Sequence, residues 1–257
     1  MDRFWTFLIP LVILMVAEAV WPRRTRTLSR ASRWPSAALL LGSGLILMRL
    51  IVPAGLVGIA LYAERIEFGL FQQLDLPIWI AAMIGYVLFD LAVWAQHVAM
   101  HRVDGLWRFH RVHHADPDFD VMTALRFHPG EILISLAWKG SVVALLGVPA
   151  VFVLWYEVIL NVAAMFNHSN LRLPLSLDRW LRLILVTPDM HRVHHSTDPI
   201  EANRNFGFFI PWWDRAFRLY QAAPERGHQD MEIGQTDWRT KADQSLWALL
   251  IQPRHKP

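Results

Sequence analysis

Ten of the chain's twelve histidines fall between His97 and His195, and several share helical spacing. His97 and His101 are four residues apart, His110, His113 and His114 form H-x-x-H-H, and His191, His194 and His195 form a second such set. His128 stands in R-F-H-P and His168 in F-N-H-S-N. On a helix, residues three and four apart lie on one face with Cβ atoms about 5–6 Å apart. Each cluster therefore offers two or three imidazoles side by side. Imidazoles gathered without a metal would compete for few partners, and protonation would add like-charge repulsion. The spacing reads as a set of metal ligands: His97, His101, His110, His113, His114, His128, His168, His191, His194 and His195. His228 and His255 lie in a polar tail and read as solvated.

Ten nitrogens exceed one ion's coordination shell, and two ions with four or five imidazoles each would use them. Imidazole suits zinc, copper, iron and nickel. H-V-A-M-H lacks the glutamate of H-E-x-x-H, which disfavours zinc proteolysis. None of these ten histidines stands in the Glu-x-x-His pairs of soluble di-iron bundles, and haem needs fewer histidines. An all-nitrogen pair of metals points to iron with open positions for dioxygen. The chain has no cysteine, which excludes disulfides, iron–sulfur clusters and thiolate ligation. A sulfur-free site also suits an oxidant that would attack thiolates.

A metal-bound histidine usually donates its other ring N–H to a carboxylate or carbonyl. Asp90, two turns before His97, can serve in that way or can pair with another polar group. Asp116, Glu131 and Asp189 flank the clusters as weaker candidates.

The elements that must position these residues read as an all-α integral membrane protein with about four transmembrane helices, the last two a hairpin, under a cytoplasmic helical cap carrying the di-metal site. Phe4 to Val20 has Glu18 as its one charge, and Trp5 and Trp21 bracket it. It reads as an uncleaved helix rather than a signal peptide, although Ala17-Glu18-Ala19 resembles a cleavage site and Asp2 offsets Arg3. Ser36 to Tyr62 is one tilted helix or a helix ending near Val52 with an interfacial piece after it. Arg49, like Lys139 further on, is expected to snorkel. Pro77 to Ala95 is a third span. Ile132 to Phe166 is apolar and splits at Gly147-Val148-Pro149 into the hairpin.

The loop from Trp21 to Pro35 carries five arginines and no acid, whereas Ala63 to Leu76 carries one basic and three acidic residues. The excess of basic residues places the first loop in the cytoplasm, and the histidine segments follow it to that side. The chain reads as one membrane domain, 1–257: anchors over 1–76, a catalytic core over 77–220, and a polar tail over 221–257. The short apolar run Ser245 to Ile251 is expected to be a lid on the core or an interfacial helix. Net charge is only +3, and no basic run interleaved with aromatics suggests nucleic acid.

From about Asp90 to Tyr220 the sequence resembles the fatty acid hydroxylase superfamily, which includes the sterol desaturases. The resemblance rests on D-L-A-V-W-A-Q-H-V-A-M-H-R, L-W-R-F-H-R-V-H-H, T-A-L-R-F-H-P-G-E, F-N-H-S-N-L and T-P-D-M-H-R-V-H-H-S. It implies that the ten histidines named above are the family's histidine-box ligands. It also implies two iron ions that activate O2 to hydroxylate or desaturate a sterol, fatty-acyl or related lipid C–H site. The family often ends this region with W-D-x-x-F-G-T-Y, whereas here Arg218 and Leu219 replace Gly-Thr.

No flavin, nicotinamide or haem motif is visible, so an external electron donor is implied: a ferredoxin, a cytochrome b5-like protein or a reductase. The expected home is the cell inner membrane or the endoplasmic reticulum. Two other readings remain. One is a related monooxygenase acting on an alkyl ether or a carotenoid. The other is a non-enzymatic membrane metal-binding protein.

Overall fold

The computed structural model describes residues 3–255 apart from Asp75. Asp2 and Asp75, used in the charge patterns above, lie outside the described residues, as do Met1, Lys256 and Pro257. The described residues form helices α1 (Arg3–Val20), α2 (Arg30–Ile51), α3 (Gly55–Arg65), α4 (Ile78–Arg102), α5 (Asp104–His114), α6 (Pro129–Leu146) and α7 (Ala150–Asn167). Shorter helices follow: α8 (Leu175–Leu181), α9 (Pro188–His194), α10 (Trp212–Ala216), α11 (Gly227–Asp230) and α12 (Leu246–Ile251). There is no extended strand among them, only two isolated bridges, Pro22 with Leu171 and Ser196 with Ile233.

Four stretches are long and apolar enough to cross a membrane: Arg30–Gln72, which holds α2 and α3, then α4, α6 and α7. Helix α1 is a shorter apolar helix. Between α2 and α3, Pro53 cannot donate an N–H to continue the ladder, and the long apolar stretch resolves into two helices. Leu56, Ala60 and Ala63 of α3 are buried, and α3 packs on α6 and α7. Arg49 turns back to the Pro53 carbonyl. The hairpin between α6 and α7 turns at Gly147, whose φ of +64° is left-handed. A Cβ there would sit 2.8 Å from the Phe68 carbonyl oxygen, so only glycine fits this approach.

The core of the bundle joins α3, α4, α6 and α7 through Leu56, Ala60, Phe89, Val93, Leu136, Val143, Phe152 and Tyr156. Outward faces instead carry exposed apolar side chains such as Ile13, Ile46, Leu50 and Met83. Such a surface suits hydrocarbon rather than water. Helix α4 has 25 residues. At 1.5 Å per residue it is about 37 Å long, more than the roughly 30 Å hydrocarbon layer. Its last turns, with His97 and His101, reach the cap. The third apolar segment and the first histidine pair are thus one helix.

The arginine loop and the cap are latched together. Arg23 pairs with Asp189 at 3.1 Å, and Arg24 donates to the carbonyls of His228 and Met231. Arg30 reaches Glu18 at 2.9 Å. Glu18, fully buried near the end of α1, also accepts the backbone N–H groups of Val121 and Asn170 at 3.0 Å each. The loop and the histidine segments therefore share one face of the bundle.

In the tail, α12 packs on α2, with Leu249 buried beside Leu40 and Val112. His255 is exposed and lies against Trp238. His228 is not solvated as expected: its side chain is 10% exposed and its Nε2 lies 3.5 Å from Asp189. The tail folds back onto the arginine loop, which is why it is covered.

Candidate metal centre

Nine of the ten predicted ligands converge in two groups. His97, His101, His110, His114 and His194 form one, and His113, His168, His191 and His195 form the other; within each, one nitrogen per residue lies within 4.8 Å of every other. Both H-x-x-H-H motifs are split between the groups. On α5, His110 and His114 go to the first and His113 to the second. At α9, His191 and His195 go to the second and His194 to the first. The histidines four apart stay together on one face, while the residue between them, three from one and next to the other, turns to the other centre. All nine are buried except His101, which is half-buried.

His128 joins neither group. It caps α6, its Nδ1 accepting the Gly130 N–H at 3.0 Å, while its Nε2 lies 3.3 Å from the Leu250 carbonyl. Pro129 starts a helix immediately after it, and the imidazole is engaged with that helix end.

The hydrogen bonds on the outer ring nitrogens fix the tautomers. His97 Nδ1 donates to the Phe206 carbonyl at 2.7 Å, His194 Nδ1 to the Arg204 carbonyl at 2.8 Å, and His110 Nδ1 to Glu131 at 2.6 Å. A neutral imidazole with its proton on Nδ1 carries a lone pair on Nε2. Yet His97 Nε2 lies 3.1 Å from His110 Nε2 and 3.0 Å from His194 Nε2. When all three rings are neutral, their lone pairs face one another with no proton to share. In the second group His168 Nδ1 donates to the Ala164 carbonyl at 2.7 Å, and its Nε2 faces those of His113 and His191 at 3.0 and 3.1 Å. Metal–nitrogen bonds of about 2.1 Å place adjacent ligands about 3 Å apart when they meet at right angles. The residues present therefore fit a cation in each group.

Burial first, and neighbouring imidazoles second, push His113, His114, His191 and His195 well below the ordinary histidine value. His194 is held low in the same way, and burial takes His168 down to about 3. These rings are neutral, as ligands must be. Their linkage also has a sign. The unfolded chain binds these protons near pH 6.5, whereas the folded one resists, so acid favours unfolding. The metal-free protein should show full stability above pH 6.5 and a falling melting temperature from there toward pH 3. A flat profile over that range in thermal scans would contradict the neutral-ring assignment.

Aromatic rings wall the site. His113 stacks on Phe127 at 4.7 Å, Phe119 lies 5.6 Å from His168, and Phe206 contacts His97, His101 and His194. Of the flanking carboxylates, the structure brings Glu131 to a histidine of the two groups and takes the other three elsewhere. Asp90 accepts the Trp213 indole N–H at 2.8 Å. Asp116 joins Arg33, and Asp189 joins Arg23 and Arg192. The supporting carboxylate that sequence reasoning missed is Asp214. It accepts Trp94 Nε1 and the N–H groups of Phe206 and Gly207, each at 2.9 Å. It thereby holds the carbonyl of Phe206 against His97. Its signal was present in the W-D of the family ending.

Arg218, where the family pattern has glycine, has a φ of +60°. An L side chain costs about 1–2 kcal/mol in that conformation, and glycine costs about 0.5–1 kcal/mol in unfolded-chain entropy. Arg218→Gly is therefore expected to stabilise the protein by roughly 0.5–1 kcal/mol. A lower melting temperature for the variant would show that the position is not strained.

Fold and site together define a helical protein with membrane-length helices and two histidine groups able to hold metal ions. The chain belongs to the fatty acid hydroxylase family, whose model matches residues 82–218, more than half of its length. It is 29% identical over 177 residues to ornithine lipid hydroxylase OlsE of Rhizobium tropici, covering 69% of this chain and 51% of that protein. It is 33% identical over 159 residues to alkylglycerol monooxygenase of Danio rerio, covering 60% and 34%. Cholesterol 25-hydroxylase of Rattus norvegicus matches at 26% over 148 residues, covering 55% and 47%. The chain thus spans about half the length of the first relative and about a third of the second. No solved structure matches.

Proposed function

We propose that the protein is a membrane-bound, O2-dependent di-iron oxidoreductase that hydroxylates or desaturates a lipid C–H site. The observation that carries this reading is the convergence of Nε2 atoms on one point, with His97 3.1 Å from His110 and 3.0 Å from His194. Five nitrogens would hold one iron and four the other, leaving coordination positions open for O2. When bound, such a pair supplies the activation of dioxygen and the removal of hydrogen from an unactivated carbon. The chain itself supplies the rest. The carbonyls of Phe206, Arg204 and Ala164, with Glu131, hold the imidazole N–H groups and so aim the ligands. Phe119, Phe127 and Phe206 exclude water. The 77–220 region is the proposed catalytic core, with 1–76 as anchors and 221–257 as the tail that closes over it.

Relatives named as acting on ornithine lipid, alkylglycerol and cholesterol support a lipid substrate. Electrons come from an external donor such as a ferredoxin, a cytochrome b5-like protein or a reductase. The five-arginine loop supports a cytoplasmic metal site, in an inner or endoplasmic reticulum membrane. Metal analysis of the purified protein, together with oxygen uptake, tests the proposal. About two irons per chain and oxygen-dependent consumption of reductant are expected. One zinc and no oxygen uptake would overturn it.

A further inference from the structure

A cavity of about 260 Å3 runs from the first histidine group into the bundle, with His97, His110 and Glu131 at one end. Much of its wall is apolar, formed by Val93, Met100, Leu136 and Phe208. Two charges interrupt it. Lys139 of α6 and Glu157 of α7 both line the cavity, and the carboxylate acts electrostatically on the ammonium. Lys139 therefore turns inward instead of snorkelling. It is the eleventh of eighteen residues in α6, and Glu157 the eighth of eighteen in α7, so both stand near the middle of apolar helices. Charges at such depth are costly and usually mark a functional pathway.

The pair also has polar company. Ser135, one turn toward the cap, accepts a hydrogen bond from Gln96 of α4 at 2.5 Å. Gln96, Ser135 and Asn161 line the same cavity. Leu45, another lining residue, is 43% exposed on the apolar flank, and Asn161 is exposed as well. The cavity thus reaches the lipid-facing surface of the bundle. Glu131 and Lys139 lie eight residues apart on α6, about 12 Å along the axis.

We propose that Lys139 and Glu157 form a selectivity station that binds an uncharged hydrogen-bonding group of the lipid, such as a hydroxyl or an amide. This rests on the di-iron reading above. The station fixes which carbon, about 12 Å further along the chain, meets the metals. The pair offers donors on Lys139 and an acceptor on Glu157, which together satisfy a group that both accepts and donates. Its charges cancel. A carboxylate or ammonium on the lipid would leave a net charge in a low-dielectric site, and this is strongly disfavoured.

Binding of tritiated hexadecan-1-ol to the purified full-length protein tests this by competition with unlabelled hexadecan-1-ol, hexadecane and hexadecanoate. Hexadecan-1-ol should compete about ten-fold better than either of the others, the ratio that about 1.4 kcal/mol of hydrogen bonding supplies. Glu157→Gln keeps the side-chain shape and leaves Lys139 positive. It should raise competition by hexadecanoate about ten-fold, because the like charge is gone. Equal competition by all three in the wild type, which needs no variant, overturns the station. So does an unchanged preference in a Glu157→Gln protein with wild-type iron content. Failure of the di-iron reading would show separately, as missing iron or missing oxygen uptake.

Discussion

His113→Ala and His194→Ala are each expected to reduce turnover to background and to lower bound iron, while His128→Ala keeps the full iron complement. All three read as ligands in sequence, His113 and His194 in H-x-x-H-H sets and His128 in R-F-H-P. The geometry separates them. His113 belongs to the group of four, so its loss leaves three nitrogens for that ion. His194 belongs to the group of five and leaves four. Iron loss should therefore be deeper for His113→Ala, and turnover should fail in both, because the proposed chemistry needs the two ions together. His128 caps α6, and losing a cap costs roughly 1 kcal/mol. A His128→Ala protein should melt slightly earlier, with iron unchanged by elemental analysis. Iron loss in that variant would place His128 among the ligands. Full iron and turnover in either of the other two would remove that residue from the set.

The gathering of these histidines was legible because helical spacing is a local property. Residues at i, i+3 and i+4 share a face whatever the rest of the chain does. What spacing does not encode is which centre a face looks at. His113 parts from His110 and His114 only because α4, α7 and α9 approach α5 from different sides. Those approaches depend on pairs far apart in the chain, such as Glu18 with Asn170, 152 residues apart. The same limit explains Asp90, whose two-turn offset from His97 fits a supporting role. Helix α10 instead brings Trp213 to it, and Asp214 of the same helix takes that role through Phe206. The apolar pattern showed where helices run, and one of its two readings, an end near Val52, matches α2 closing at Ile51 before Pro53. It did not show that α4 continues past its apolar part into the cap. Lys139 illustrates a further limit. A lone lysine in an apolar helix reads as a snorkelling residue until the helix facing it is known to carry Glu157.

Arg33→Met is expected to collapse the cap, with a melting temperature about 10 °C lower and loss of both irons. Arg33 is 1% exposed on the first turn of α2, and its guanidinium meets three carboxylates. Nη1 contacts Asp116 at 2.8 Å, Nη2 contacts Asp120 at 2.5 Å, and Nε lies 3.2 Å from Asp118. Those aspartates occupy the segment directly after His114, and Phe119 within it packs against His168 and His195. Methionine fills the stem's volume but leaves the carboxylates facing one another without that cation. Arg126 makes a longer ion pair with Asp116 alone, at 3.8 Å, and does not reach all three carboxylates as Arg33 does. Removing one partner of a buried ion pair costs about 3–5 kcal/mol, a large share of the roughly 5–15 kcal/mol that holds a protein together. Arg33→Lys should fall between, because an ammonium is a point charge that does not fork to three acceptors. The comparison also separates two uses of the same residue. As a topology signal, Arg33 counts only as one positive charge in the loop, and lysine serves equally. As a latch, its fork geometry is required. Correct membrane insertion of Arg33→Lys together with reduced iron would assign the loss to the latch, whereas wild-type stability of Arg33→Met would show that the cap is held without it.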